Sequence, residues 1–283
     1  MGEFVAALSN PAVPFLRYAL IAGLLASAAF GIVGTYITAR RITYLAGAIA
    51  HSVLAGIGVS VYLLEAHDVA WLSPLMGAMV AAIVAGLIIG FVSMYARERE
   101  DTVIGAVWSI GMAVGILFLA RTPGYVDPMS YLFGNILILS GRELILIGAL
   151  DVVVIAVGVL GYNQFQAVTF DEEFARVRGL KTSVYFIVLI LMTALSIVLL
   201  TTIVGLIMVI ALFTLPAAVG TMMAGRMWQV MLLATLLTMV FTTAGLGLSY
   251  RYDLPSGPTI IVFAGAAYLA AVTLKGLGRR LRR

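Results

Sequence analysis

The stretch Ser183–Ala224 reads SVYFIVLILMTALSIVLLTTIVGLIMVIALFTLPAAVGTMMA and holds no charged side chain. A helix needs about 20 apolar residues to cross the hydrocarbon core of a bilayer. This stretch can do so twice, with one arm at 183–200 and another at 202–224, joined at Thr201 and Thr202. The same threonine pair also allows a single broken helix. Pro216 lies inside the second arm, where it is expected to kink it.

The rest of the chain repeats the pattern. Further apolar stretches lie at about 12–38, 42–64, 71–96, 102–121, 142–162, 228–250 and 257–275. Of 283 residues, 63% are hydrophobic and 11% charged. Soluble domains are nearer half apolar and a quarter charged. A soluble fold of this length could not hide so much apolar surface. The expected fold is therefore all-α: a polytopic transmembrane helical bundle of eight to nine spans, forming one domain over residues 1–283. The segment Tyr131–Ser140 (YLFGNILILS) is too short to span and reads as a re-entrant or interfacial piece. Such a piece must be buried in protein or face water, because lipid cannot satisfy loose backbone groups.

The net charge is +4, and the positions of the cations orient the bundle. Lys and Arg favour the cytoplasmic ends of spans. With Arg40 and Arg41 inside, strict alternation also puts Arg97, Arg99, Arg176, Arg178, Lys181, Arg226, Lys275, Arg279, Arg280, Arg282 and Arg283 inside. Only Arg17, Arg121, Arg142 and Arg251 fall outside. The basic tail at 276–283 is then a cytoplasmic topology anchor, and no nucleic-acid partner is expected. Residues 1–14 lack the basic and apolar pattern of a cleaved signal peptide.

Several function classes drop out. Without cysteine there is no disulfide, thiolate metal site or cysteine nucleophile. No G-x-x-x-x-G-K-[ST] loop occurs, so the chain is not expected to hydrolyse ATP through one. Two histidines give neither an H-E-x-x-H site nor an arguable Ser-His-Asp set. An enzyme is not expected.

The one extended polar loop away from the termini is 163–182. It carries FDEEFARVRGL, a short helix signal over 170–180. Thr169 can cap it, Asp171, Glu172 and Glu173 suit its first turn, and Gly179 can close it. Phe170, Phe174 and Val177 give it an apolar stripe, with Ala175 among them. Glu172 can pair with Arg176 at i+4. Helices that lie on lipid favour cationic polar faces, and this one starts with three acids, so docking on a soluble protein fits better.

Ionisable groups inside spans are candidates for function. His51 lies in the second stretch among small residues, with Gly47 and Ala55 on its own face. Small residues let another backbone or a hydrated path approach. A neutral imidazole can ligate zinc and other transition metals, and a symmetric dimer could set two against each other. Asp151, in the fifth stretch, is a weaker candidate for an ion path. The loop acids Glu65, Asp68, Asp127 and Asp253 could give an entrance a negative field, with Asp127 the second weak candidate. Gly86-x-x-x-Gly90 and Gly111-x-x-x-Gly115 are helix-packing patterns.

Six segments in order resemble one family: RRITYLAGAIAHSVLAGIG (40–58), VIGAVWSIGMAVGILFL (103–119), DPMSYLFGNIL (127–137), FDEEFARVRGL (170–180), LPAAVG (215–220) and DLPSGPTIIV (253–262). The chain resembles the membrane permease of ATP-binding-cassette importers for zinc, manganese and iron. The resemblance implies a homodimer in a bacterial inner membrane with a cytoplasmic C-terminus. It also implies cytoplasmic ATPase subunits, an extracytoplasmic metal-binding protein, and alternating access driven by ATP. The metal, zinc or manganese and possibly iron, would pass transiently, with no permanent cofactor. His51 would be the pore histidine. The 170–179 segment would be the coupling helix that enters the ATPase groove. The family commonly carries an Asp four residues before that histidine, and this chain carries Gly47. The cation must then use His51 with water, the partner copy or another acid, or pass with little coordination. Two alternatives stand beside this reading: a permease for a metal chelate such as a siderophore or cobalamin, and an ion-gradient-driven carrier.

Overall fold

The computed structural model describes residues 2–9, 14–69, 71–95, 99–124 and 141–280. Among them are twelve helices and no strand. They are α1 (Gly2–Ser9), α2 (Pro14–Ala39), α3 (Thr43–His67), α4 (Pro74–Tyr95), α5 (Glu100–Arg121) and α6 (Gly141–Leu160). Then follow α7 (Tyr162–Phe170), α8 (Glu172–Val177), α9 (Thr182–Val204), α10 (Leu206–Met223), α11 (Met227–Tyr252) and α12 (Ser256–Arg280). Eight of them, α2 to α5 and α9 to α12, are long and apolar enough to cross a membrane. The count reaches nine when α6 is taken with α7 as one broken span. The predicted segment Tyr131–Ser140, together with Asp127, Arg97, Arg282 and Arg283, lies outside the described residues.

Local chemistry explains the helix ends. Pro14 and Pro74 open α2 and α4, where a missing N–H costs nothing. The break expected at Thr201 and Thr202 falls instead at Gly205, and α9 runs straight through both threonines. Gly205 has φ 86°, a conformation that a threonine would adopt only with strain. Its N–H caps α9 on Thr201 O at 3.0 Å. Pro216 sits inside α10 without ending it.

The chain divides into two compact units. The first contains α1, α2, α6, α11, α12 and α10 from Ala211 onward. Its centre is α2, against which α11 packs so closely that a methyl at Gly23 or Gly31 would collide with Thr242 or Thr235. On α6, Tyr36 Oη donates to Gly158 O at 2.9 Å. At one end of this unit, Lys275 Nζ donates to Met222 O at 3.0 Å, so α12 ends beside the end of α10, as alternation of the spans requires.

The second unit contains α3, α4, α5, α7, α8 and α9. Here α3 is central. A Cβ at Gly58 would lie 2.5 Å from Gly115 O, one at Gly115 2.6 Å from the Leu54 backbone, and one at Gly111 2.7 Å from Ser52 Cα. A methyl at Gly56 would strike Gly77 O of α4. Gly86 and Gly90 receive Ile190 of α9. Both sequence patterns of spaced glycines therefore pack helices, as expected. Several buried hydroxyls bond within their own helices, whereas Ser196 Oγ and Thr201 Oγ1 have no partner among the described residues. Ser52 Oγ donates to Ala48 O at 2.9 Å and Thr193 Oγ1 to Leu189 O at 2.8 Å, which lets polar side chains sit in apolar surroundings.

The seam makes a stability prediction. Gly115→Ala forces α3 and α5 apart and should cost about 1–3 kcal/mol, the usual price of overpacking. Gly105→Ala, on the same helix with nothing within 4 Å of the added carbon, should gain up to about 1 kcal/mol. Thermal unfolding midpoints in one detergent check the pair. Equal midpoints for the two variants would refute the seam.

Candidate ion path and coupling surface

The polar loop is two helices meeting at Asp171, whose φ of −150° breaks the run. The cap is Asp171 itself, not Thr169. Its carboxylate accepts from Phe174 N at 2.8 Å. Thr169 lies two residues back, within α7, and Phe170 ends α7 rather than beginning α8. Glu172 and Glu173 fill the first turn of α8, where the helix dipole favours acids. At the other end, Gly179 at φ 83° closes the helix. Gly179 N donates to Arg176 O at 3.0 Å and Leu180 N to Ala175 O at 3.1 Å, which is a Schellman closure. The predicted Glu172–Arg176 pair forms at 3.3 Å.

Ala175 points inward and is fully buried, so it seats the helix. The outward side is apolar: Phe170 is 66% exposed, Phe174 52% and Val177 87%. Asp171, Glu173 and Gly179 are exposed beside them. Three large exposed apolar groups next to acids suit a protein groove better than water.

Arg40 holds this surface in place, a role that the sequence reading missed by treating it only as a topology charge. Its side chain is 15% exposed. One guanidinium nitrogen, Nη2, meets Glu172 Oε2 at 2.8 Å, and the other, Nη1, donates to Val168 O at 3.1 Å. The guanidinium carbon, Cζ, lies over the Phe186 ring, 4.3 Å from its centroid. Arg40 therefore touches α7, α8 and α9 from the corner that begins α3. The contact also puts the α2–α3 corner and the polar loop at the same end, as the charge pattern predicted. An open cavity of about 710 Å³ lies there, lined by Arg40, Tyr95, Thr169, Glu172, Arg176 and Ser183 among others.

His51 lies mid-way along α3 and is 7% exposed. Its Nδ1 is 2.8 Å from Gly47 O, one turn earlier. Its ring stacks on Trp108 of α5, with centroids 4.2 Å apart and planes inclined by 26°. The space that Gly47 leaves is taken by the same indole: a Cβ there would lie 2.5 Å from Trp108 Cζ3. The small residues around His51 thus admit an aromatic ring at this level, and backbones above it. Nothing in the sequence pairs residues 51 and 108, since their meeting depends on helix packing.

Asp151 is in the first unit and His51 in the second. Asp151 is 5% exposed, and neither carboxylate oxygen meets hydrogen-bond geometry among the described residues. Among those residues no three of His, Cys, Asp and Glu gather to hold a metal ion.

The model of the ABC 3 transport family matches residues 12–275. The chain belongs to the ABC 3 transport family. It is 35% identical over 263 residues to the "Probable metal transport system membrane protein" of Chlamydia trachomatis serovar D, covering 93% of this chain and 89% of that one. It is 30% identical to the manganese transport system membrane protein MntC of Listeria monocytogenes, covering 91% and 89%. Its fold matches a chain of the solved structure of PsaBC from Streptococcus pneumoniae in complex with Fab, with a TM-score of 0.83, 25% identity, and 95% and 94% coverage. The chain is thus a multi-pass membrane protein of a transport family.

Proposed function

We propose that this chain is the permease subunit of an ATP-binding-cassette importer that moves a divalent transition metal, zinc or manganese, into a bacterial cytoplasm. The observation that carries the reading is the match to the transport family over residues 12–275, with relatives named for metal and manganese transport. The chain itself is not an enzyme. ATP binding and hydrolysis belong to separate cytoplasmic subunits, for which α8 and the end of α7 offer the docking surface. Two copies form the pore in the inner membrane, with C-termini inside. An extracytoplasmic protein delivers the metal. His51 is the ion-facing residue, and alternating access passes the cation beyond it. A single neutral ligand suits this task, because the site must accept the ion and also release it.

The test combines two measurements. The chain should co-purify with an ATPase subunit, and cells carrying it should accumulate zinc or manganese in an ATP-dependent way. His51→Ala should cut uptake roughly 10-fold to 100-fold, the usual effect of losing a metal-orienting group, while assembly with the ATPase persists. Undiminished uptake by that variant removes His51 from the path. Failure to bind any ATPase refutes the importer reading and favours a gradient-driven carrier.

A further inference from the structure

Three constraints converge on the His51 ring. The indole of Trp108 covers one face at 4.2 Å between centroids. The Gly47 carbonyl takes Nδ1 at 2.8 Å. The backbone of α3 is clamped to α5 one residue further on, where Gly111 meets Ser52 Cα. A carbonyl only accepts, so in the neutral ring Nδ1 carries the proton and Nε2 keeps the lone pair. Metal-ligating imidazoles are commonly held in this way, with one N–H donated to a carbonyl or carboxylate that fixes tautomer and orientation.

Positions 47 and 55 are the places one turn away on α3 from which an acid could reach a cation held by His51, since residues four apart share a helix face, and 47 is the one on the Nδ1 side. Trp108 closes that place. Even a methyl at 47 would lie 2.5 Å from the ring, and a carboxylate would need more room still. The indole therefore does two things at once: it holds the imidazole, and it excludes a charged oxygen ligand beside it. Imidazole nitrogen suits zinc, copper, iron and nickel, whereas carboxylate and carbonyl oxygen suit manganese and magnesium.

We infer that Trp108 is a positioning and specificity-determining residue for His51, and that with Gly47 it leaves the permease an imidazole contact with no carboxylate beside it on α3, which favours zinc over manganese. This rests on the metal-importer reading above and narrows its cargo. Trp108 touches no metal in this account. It acts through the ring it stacks on and through the ligand it keeps out.

The experiment uses the complete transporter, permease with its ATPase and delivery protein, in phosphatidylethanolamine–phosphatidylglycerol proteoliposomes, with radioactive zinc and manganese as separate probes. The unmodified transporter should move zinc at least about tenfold faster than manganese at equal low concentration. Trp108→Phe keeps a stacked ring and should hold that ratio. Trp108→Ala should lower zinc uptake roughly tenfold. Gly47→Asp alone should push the indole off the imidazole and lower zinc uptake roughly tenfold, whereas Gly47→Asp with Trp108→Ala should shift the ratio toward manganese by about tenfold or more. Equal or better manganese transport by the unmodified chain overturns the inference, and needs no variant to fold. So does an unchanged zinc-to-manganese ratio in the double variant. A transporter that moves neither metal overturns the importer reading itself, and the inference falls with it. Metal transport that survives His51→Ala with the zinc preference intact leaves the importer standing and sinks only the role of this ring.

Discussion

Phe174→Asp is expected to release the ATPase subunits from the permease while leaving the membrane bundle intact. Phe174 is 52% exposed, and the Arg178 guanidinium lies over its ring, 5.1 Å from the centroid. Removing it thus costs the isolated chain little. In a groove the same ring would be an aromatic anchor, and such anchors contribute about 2–4 kcal/mol when truncated, or roughly 30-fold to 1,000-fold in affinity. Aspartate adds a charge to a surface that already carries Asp171 and Glu173, so the loss belongs at the upper end. Co-purification of tagged permease with its ATPase measures it, and thermal unfolding in detergent checks the fold. A variant that keeps its ATPase shows that docking occurs elsewhere.

Arg40→Ala is expected to separate binding from transport. The variant should retain the exposed Phe170, Phe174 and Val177 and still bind ATPase. It should lose the contacts that tie α8 to the start of α3, the helix that carries His51. Hydrogen bonds to charged groups contribute about 1.5–3 kcal/mol each, with the lower end appropriate here because Glu172 is 38% exposed. Losing that tie should cut metal uptake at least about tenfold while ATP hydrolysis continues without cargo. Arg40→Lys keeps the charge but cannot meet Glu172 and Val168 O with a planar fork while resting over Phe186, so it should restore only part of the coupling. Uptake per ATP hydrolysed is the deciding quantity. A normal ratio in Arg40→Ala would mean that motion reaches α3 by another route.

The span order was legible in the sequence because it depends on apolar length alone, and length is local. The charge pattern also paired loops within each unit: Arg40 meets the 163–182 loop, and Lys275 meets the end of α10. Boundaries were less legible. Thr201 and Thr202 are the more polar pair, yet the chain turns at Gly205, because the turn needs a positive φ that glycine adopts without strain. Asp171 displaced Thr169 as the cap because its carboxylate reaches Phe174 N, three residues on. The pairing of His51 with Trp108 had no local signal. It arises where two helices cross, and it shows what fills the space beside Gly47.

The spaced glycines of α3 and α5 bear on how the transporter can move. Where backbone lies on backbone, as at Gly58 against Gly115, no side chain remains to change rotamer and absorb a slip. One helix cannot ratchet past the other by a turn without lifting Leu54, Ser52 and the stacked indole out of register together. These two helices should therefore travel as a single lever. The hinges of the cycle then belong at the ends of that lever: the corner where Arg41 takes φ 63°, and Asp68, where α3 ends at φ 52°.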